Sequence, residues 1–180
     1  MTALLLILTA LGAAVLMIVT LVAALRGRTR SAVRLGSACV ALVGTYAAAL
    51  VAAGAASRPR TLAHGEWKCF DDWCVTVASA TPAADGRDVT LLVRNAGRGR
   101  AQRPDAAQAY LEPGRRPLVV AGLDERLDPG QTATLHVLVL RADVAGNAGT
   151  RLVVIEGGWP SHAVIGDENS PWHAHAGWAL

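Results

Sequence analysis

Two long, uncharged apolar runs near the N-terminus constrain the fold of this chain more than any other feature. They extend from Ala3 to Leu25 and from Leu35 to Ala56. Each run exceeds the roughly 20 residues that cross a bilayer core of about 30 Å. Because a bilayer core offers no water to satisfy loose backbone groups, both runs are predicted to be helices. Residues 1–56 are therefore predicted to form a transmembrane helical hairpin.

The loop between the runs predicts the orientation of the hairpin. It carries four arginines within nine residues, namely Arg26, Arg28, Arg30 and Arg34. Lys and Arg close to helix ends are retained on the cytoplasmic side. We therefore expect a two-pass protein of the bacterial inner membrane, with both termini and the C-terminal domain in the periplasm. A cleaved signal peptide is the less favoured alternative, because only Met1 and Thr2 precede the first apolar run, where a signal peptide has basic residues.

The second run carries small residues at four-residue spacing. They fall near one helix face and comprise Ser37, Ala41, Thr45, Ala49 and Ala53. Small side chains let two helix backbones approach closely in lipid, so this helix-packing face predicts contact with another membrane-protein subunit. The alternative is that an Ala-rich helix produces the pattern by chance and packs only against the first helix.

The charge is divided unevenly along the chain. Of 17 Lys and Arg, six lie at or before Arg60, which leaves 11 against all 14 Asp and Glu. The part after Arg60 thus carries −3, although the whole chain carries +3. Because the basic residues belong to the membrane anchor, we expect no nucleic-acid partner. Residues 57–66 are predicted to be a linker, and residues 67–180 are long enough for one small periplasmic domain.

Two cysteines open this domain, Cys69 and Cys74. A periplasmic location permits disulfides, and four intervening residues allow a bridge if the chain turns at Asp71-Asp72. A redox motif needs two intervening residues, and a structural zinc site needs further Cys or His ligands at matching spacing. A disulfide is therefore the favoured interpretation, with reduced structural thiols as the alternative.

After Cys74, short β-rich runs alternate with turn signals. The runs are predicted strands at 75–79, 88–95, 106–112, 115–121, 132–141, 150–156, 162–165 and 174–180. Asp85-Gly86 and Glu112-Pro113-Gly114-Arg115 are typical of hairpin connections, and Gly146-Asn147 and Gly157-Gly158 mark later loops. Seven or eight strands in roughly 120 residues predict an all-β antiparallel sandwich.

Three motifs of this region resemble a known class of domain. They are Cys69-Phe70-Asp71-Asp72-Trp73-Cys74-Val75, the turn at 127–132 before a long apolar strand, and Ile165-Gly166-Asp167-Glu168-Asn169-Ser170. In this order they resemble bacterial membrane-anchored immunoglobulin-like domains of unknown function, over about residues 67–180. The resemblance implies an immunoglobulin-like fold and a binding or assembly role. It implies no activity.

The strongest candidate for a chemical site lies near the C-terminus. His173 and His175 are two residues apart, and on a strand both rings would lie on one face, within reach of one metal ion with Asp167 or Glu168. The alternative is ordinary turn chemistry, in which Asx side chains bond the backbone. The turn interpretation is favoured, so no metal ligand is assigned.

No constellation of residues predicts catalysis, and we expect neither an enzyme nor a cofactor. All five tryptophans lie beyond the hairpin, at Trp67, Trp73, Trp159, Trp172 and Trp178. Some are expected in the core and one or two at a membrane interface or partner. Arg98, Arg100 and Arg103 form a basic loop, which is interpreted as a solvated turn, with docking on lipid headgroups or an acidic partner as the alternative.

Three functions, each from a different class of protein, are compatible with these sequence features. The favoured one is a non-catalytic accessory subunit of a larger membrane complex, such as a photosynthetic or respiratory electron-transfer assembly, with the bilayer and other membrane subunits as partners. The second is a free-standing periplasmic binding module. The third is a metal-binding or enzymatic role at His173 and His175.

Overall fold

The computed structural model describes residues 2–144, 149–158, 160–170 and 172–180. The predicted turn at Gly146-Asn147 lies outside the described residues, and so do Trp159 and Pro171. The chain divides into two compact units, which we call the helical unit and the β unit. The helical unit comprises Met1–Ser57 with Trp159–Ala174, and the β unit comprises Arg58–Gly158 with His175–Leu180.

The helical unit contains the two predicted helices, α1 (Thr2–Leu25) and α2 (Thr29–Ala56). Both are long and apolar enough to cross a membrane. They pack as an antiparallel hairpin, in which Cys39 Sγ lies 3.7 Å from the carbonyl oxygen of Ala13. The unit also contains a short 3₁₀ helix at Ser161–Ala163, where the sequence predicts a strand at 162–165. That predicted strand is wrong, because the segment turns back on itself through Ala163 N–H to Pro160 and Val164 N–H to Ser161.

Within the residues that the structure describes, the β unit consists of nine strands in two sheets. In chain order the strands are β1 (Arg60–Leu62), β2 (Lys68–Phe70), β3 (Trp73–Ala83), β4 (Gly86–Asn95), β5 (Gln108–Glu112), β6 (Arg116–Leu118), β7 (Thr132–Leu140), β8 (Arg151–Ile155) and β9 (Ala176–Ala179). One sheet has the order β1-β9-β8-β5-β6 and the other β2-β3-β4-β7. A one-turn helix, α3 (Arg141–Val144), follows β7.

Turn chemistry explains the hairpins of the β unit. Phe70 pairs with Trp73, so β2 and β3 are joined by the predicted turn at Asp71-Asp72. Ala83 pairs with Gly86, which makes a second two-residue turn, and Leu111 pairs with Arg116 across the predicted Pro-Gly turn. A side chain at Gly86 would place its Cβ 2.0 Å from the carbonyl oxygen of Val139, so only glycine fits this close approach to β7.

The two sheets share one hydrophobic core. Alternating residues of β4 such as Val89, Leu91 and Val93 are buried, and so are Leu152 and Trp178 on the other sheet. A core shared by both sheets is the pattern of two packed layers, which supports the predicted sandwich-like arrangement, and β8 is buried on both of its faces.

Two features of the β unit differ from the prediction. β1 lies within the predicted linker at 57–66 and pairs with β9 in parallel, so the five-stranded sheet is mixed instead of fully antiparallel. Three residues carry too little periodicity to predict a strand, and β1 is formed only because β9, more than 100 residues later in the chain, offers its edge.

Candidate functional site

The seam between α1 and α2 occupies one face of each helix. In α1 most of the less exposed positions recur at three- and four-residue steps, as in knobs-into-holes packing. They are Leu6, Thr9, Gly12, Ala13, Leu16, Thr20 and Ala23. On α2 the seam includes Gly36, which faces Thr20, and Leu42, which faces Gly12. The seam thus pairs small residues of one helix with larger ones of the other.

The predicted helix-packing face lies elsewhere on α2. Ser37, Ala41, Thr45 and Ala49 are exposed, and Ala53 is half-buried at the edge of the seam. We call these five residues the small-residue face. Helix α1 therefore does not cover most of this face.

The hydroxyl groups on the small-residue face are satisfied within α2. Ser37 Oγ donates to the carbonyl oxygen of Arg34 at 2.8 Å, and Thr45 Oγ1 donates to that of Ala41 at 2.8 Å. Back-bonding of this kind removes the cost of placing a hydroxyl in an apolar medium. Because its hydroxyl groups are satisfied, the face is chemically compatible with lipid or with another helix, and because its side chains are small, it is flat.

A later stretch of the chain packs against α2. We call residues 160–170 and 172–174 the outer segment. Tyr46 Oη donates to the carbonyl oxygen of Ala163 at 2.6 Å, and Ala174 N–H donates to Ser57 Oγ at 2.6 Å. The sequence shows no sign of these contacts, because Tyr46 resembles any packing residue of an apolar helix and its partner is a backbone carbonyl.

The acidic motif of the outer segment forms turns. Asp167 Oδ1 accepts from Asn169 N–H at 2.8 Å, and Ser170 N–H donates to the carbonyl oxygen of Asp167 at 2.9 Å. His162 Nδ1 lies 2.8 Å from the carbonyl oxygen of Asn169 and connects the 3₁₀ helix to the motif. The expected Asx turn chemistry is present here.

The structure does not align His173 and His175 on a strand. β9 begins only at Ala176, His173 belongs to the helical unit and His175 to the β unit. His173 Nδ1 lies 2.8 Å from the carbonyl oxygen of Ala174. Within the residues that the structure describes, no group of three or more His, Cys, Asp or Glu is placed to hold a metal ion.

His175 is instead the buried member of a charge network in the β unit, together with the half-buried Glu112 and Arg151 and the exposed Arg115. Its side chain is 5 % exposed, and its Nδ1 lies 3.2 Å from Glu112 Oε1. Its Nε2 lies 3.3 Å from Arg115 Nη2. Since a guanidinium only donates, Nε2 accepts, and the neutral ring donates from Nδ1 to the carboxylate. Arg151 Nη2 binds the other carboxylate oxygen of Glu112 at 2.5 Å.

Burial lowers the pKa of His175 below its ordinary value, and the positive charges of Arg115 and Lys68 act in the same direction. The hydrogen bond and the negative charge of Glu112 oppose this shift but are outweighed. With both ring nitrogens engaged and the ring neutral, His175 is suited to holding β5, β8 and β9 in register.

Lys68, the only lysine in the chain, links the two sheets. Its side chain is buried, and its Nζ donates to the carbonyl oxygens of Val154 at 2.8 Å and Ala176 at 3.3 Å. Those carbonyls belong to β8 and β9, whereas Lys68 belongs to β2 of the other sheet. Sequence reasoning missed this role, because nothing local marks a buried lysine.

The cysteine pair and the basic loop both belong to the β unit. The sulfurs of Cys69 and Cys74 are 2.09 Å apart, which is a disulfide distance, and the two residues pair directly across β2 and β3. In the basic loop, Arg103 binds Asp124 at 2.7 Å on the surface. This bond lowers the pKa of Asp124.

Comparison of the chain with protein-family models, with curated proteins and with solved structures finds no match. The function is therefore inferred from the geometry of the two units.

Proposed function

We propose that this chain is a non-catalytic accessory subunit of a larger membrane-protein assembly, for which respiratory and photosynthetic complexes are candidate hosts. Its hairpin docks against another helix in the membrane, and its β unit, an immunoglobulin-like sandwich in this proposal, binds the periplasmic face of the host. The observation that carries the proposal is the exposed small-residue face of α2, which lies apart from the α1 seam.

The surface of α2 supports this assignment because it is divided into three strips. One strip contacts α1, and a second is the small-residue face. The third carries exposed valines, namely Val33, Val40 and Val51. Branched apolar side chains suit contact with lipid tails, whereas small residues suit the close approach of another helix backbone. The division predicts lipid on the valine strip and a protein partner on the small-residue face.

The β unit supports the periplasmic side of the proposal. A cysteine pair at disulfide distance is typical of oxidising compartments, and the arginine loop between the helices predicts that the opposite end of the hairpin faces outward. In this proposal, Thr29 is cytoplasmic. The β unit is then available to a partner in the periplasm.

The proposal is tested by native purification in mild detergent with two matched variants. Ala49→Leu adds bulk to the small-residue face, and overpacking there typically costs about 1–3 kcal/mol. We expect the variant to bind its host about 5- to 150-fold more weakly. Ala47→Leu adds the same bulk beside Val40 and Val51, seven and four residues away on the same side of the helix. It should comigrate with the host as the wild type does.

Other outcomes separate the alternatives. A wild-type chain that purifies alone would favour a free-standing binding module. Normal assembly of Ala49→Leu would remove the small-residue face from the proposal. His173→Ala tests the metal alternative without disturbing the His175 network, and we expect it to assemble normally with no change in bound metal.

A further inference from the structure

The side chain of Trp172 is more exposed than those of the other described tryptophans. It is 70 % exposed, whereas Trp67 is half-buried and Trp73 and Trp178 are 2 % and 0 % exposed. Its φ of +63° lies in the left-handed region, which bulky residues rarely adopt. The backbone of the outer segment therefore holds a large amphipathic ring outward, and this arrangement calls for a physical reason.

The position of this ring along α2 follows from one hydrogen bond. Ala174, two residues after Trp172, donates its N–H to Ser57, the residue that follows α2. Two residues span at most about 7.6 Å between Cα atoms. The Cα of Trp172 is thereby held within a short distance of the outer end of α2.

The length of α2 then predicts the depth of this end in a bilayer. If Arg34, the last charge of the inner loop, marks one surface of the hydrocarbon core, about 20 residues at 1.5 Å each reach the other surface near Gly54. Ser57 lies about 4.5 Å beyond this level. That is the headgroup zone, where Trp is enriched because its ring is apolar and its N–H is polar.

We propose that Trp172 anchors the outer segment in the headgroup and acyl boundary of the outer leaflet. The ligand is the lipid surface itself, and the two helices of the same unit expose most of their Leu, Val and Ile side chains. This inference rests on the proposed membrane insertion of the hairpin.

The test uses the full chain labelled with fluorotryptophan in phosphatidylcholine nanodiscs. Trp172→Phe identifies the fluorine resonance of Trp172. We expect a lipid that carries a spin label near its headgroup to broaden this resonance at least about twofold. The resonances of the buried Trp73 and Trp178 should remain sharp under the same conditions, which provides the internal control.

A Trp172 resonance that is broadened only by a water-soluble gadolinium chelate, or by neither reagent, would overturn the lipid anchor and leave the hairpin in place. Failure of the chain to enter nanodiscs, measured by co-elution with the disc, would overturn the proposed function and this inference together.

Discussion

The helical unit and the β unit distribute their apolar side chains in opposite ways. Among the described residues, α1 and α2 bury only Ala23 and Gly54, while most of their Leu, Val and Ile side chains are exposed. The described residues of the β unit include 18 that are buried in one core, and along β4 buried residues alternate with less buried ones. The β unit can therefore be stabilised by apolar burial in water. The described part of the helical unit has no comparable interior, and in the membrane location that we propose it would be stabilised by the apolar surrounding and by helix packing.

The largest expected effect is a loss of stability in the β unit that leaves the helical unit folded. Trp178→Ala removes a fully buried ring whose Nε1 donates to the carbonyl oxygen of Glu66. It should destabilise the β unit by about 3–5 kcal/mol. Near-ultraviolet circular dichroism in detergent micelles should show an earlier loss of tertiary structure, while the far-ultraviolet helical signal persists. Trp172→Ala is the matched control and should leave the transition unchanged. Simultaneous loss of both signals would show that the two units do not unfold independently.

The next effect concerns the charge network of the β unit. Glu112→Ala leaves Arg151 and His175 without their shared partner, and the side chains of the Arg151–Glu112 pair are only 16 % and 18 % exposed. Breaking a buried pair costs about 3–5 kcal/mol, and we expect about 2–3 kcal/mol at this partial exposure. Asp124→Ala breaks the exposed pair with Arg103 and serves as the control. Equal shifts in denaturation midpoint for the two variants would contradict a special role of the network.

A smaller effect is expected at the cysteine pair. Replacing both Cys69 and Cys74 with Ala should lower the free energy of unfolding of the β unit by about 2 kcal/mol, because so short a loop removes little unfolded-state entropy. Alkylation followed by intact-mass measurement should label these two residues only after reduction. Labelling without reduction would show free thiols and remove one support for the periplasmic assignment.

The smallest effect is the pH dependence contributed by His175. Its pKa is lowered in the folded state, so the unfolded chain binds the proton more readily. Stability from this group is complete above the ordinary pKa of about 6.5 and declines as the pH falls from there toward the folded pKa. Denaturation midpoints measured from neutral to mildly acidic pH should fall for the wild type. In His175→Asn, which keeps a donor toward Glu112, the decline should be shallower, and an equal decline would assign the pH dependence to other groups.

Local patterns predicted most of the secondary structure. Uninterrupted hydropathy identifies α1 and α2, since any 20-residue apolar run without charges forms a helix in lipid. Alternating residues such as Val89, Leu91 and Val93 identify β4, and the turns at Asp71-Asp72 and Pro113-Gly114 identify two hairpins. These signals lie within a few residues of one another, so they need no knowledge of the rest of the chain.

Local sequence patterns are therefore enough to predict whether each main element is a helix or a strand and which consecutive strands pair in hairpins. The tertiary structure decided that the seam leaves the small-residue face exposed, that the outer segment joins α2 through Tyr46 and Ser57, and that β1 pairs with β9. It also decided that Lys68 and His175 are buried structural groups. The physical reason is that each of these features depends on a partner far away in the chain. Most of the partners are backbone carbonyls or strand edges, which every residue carries and no sequence pattern distinguishes.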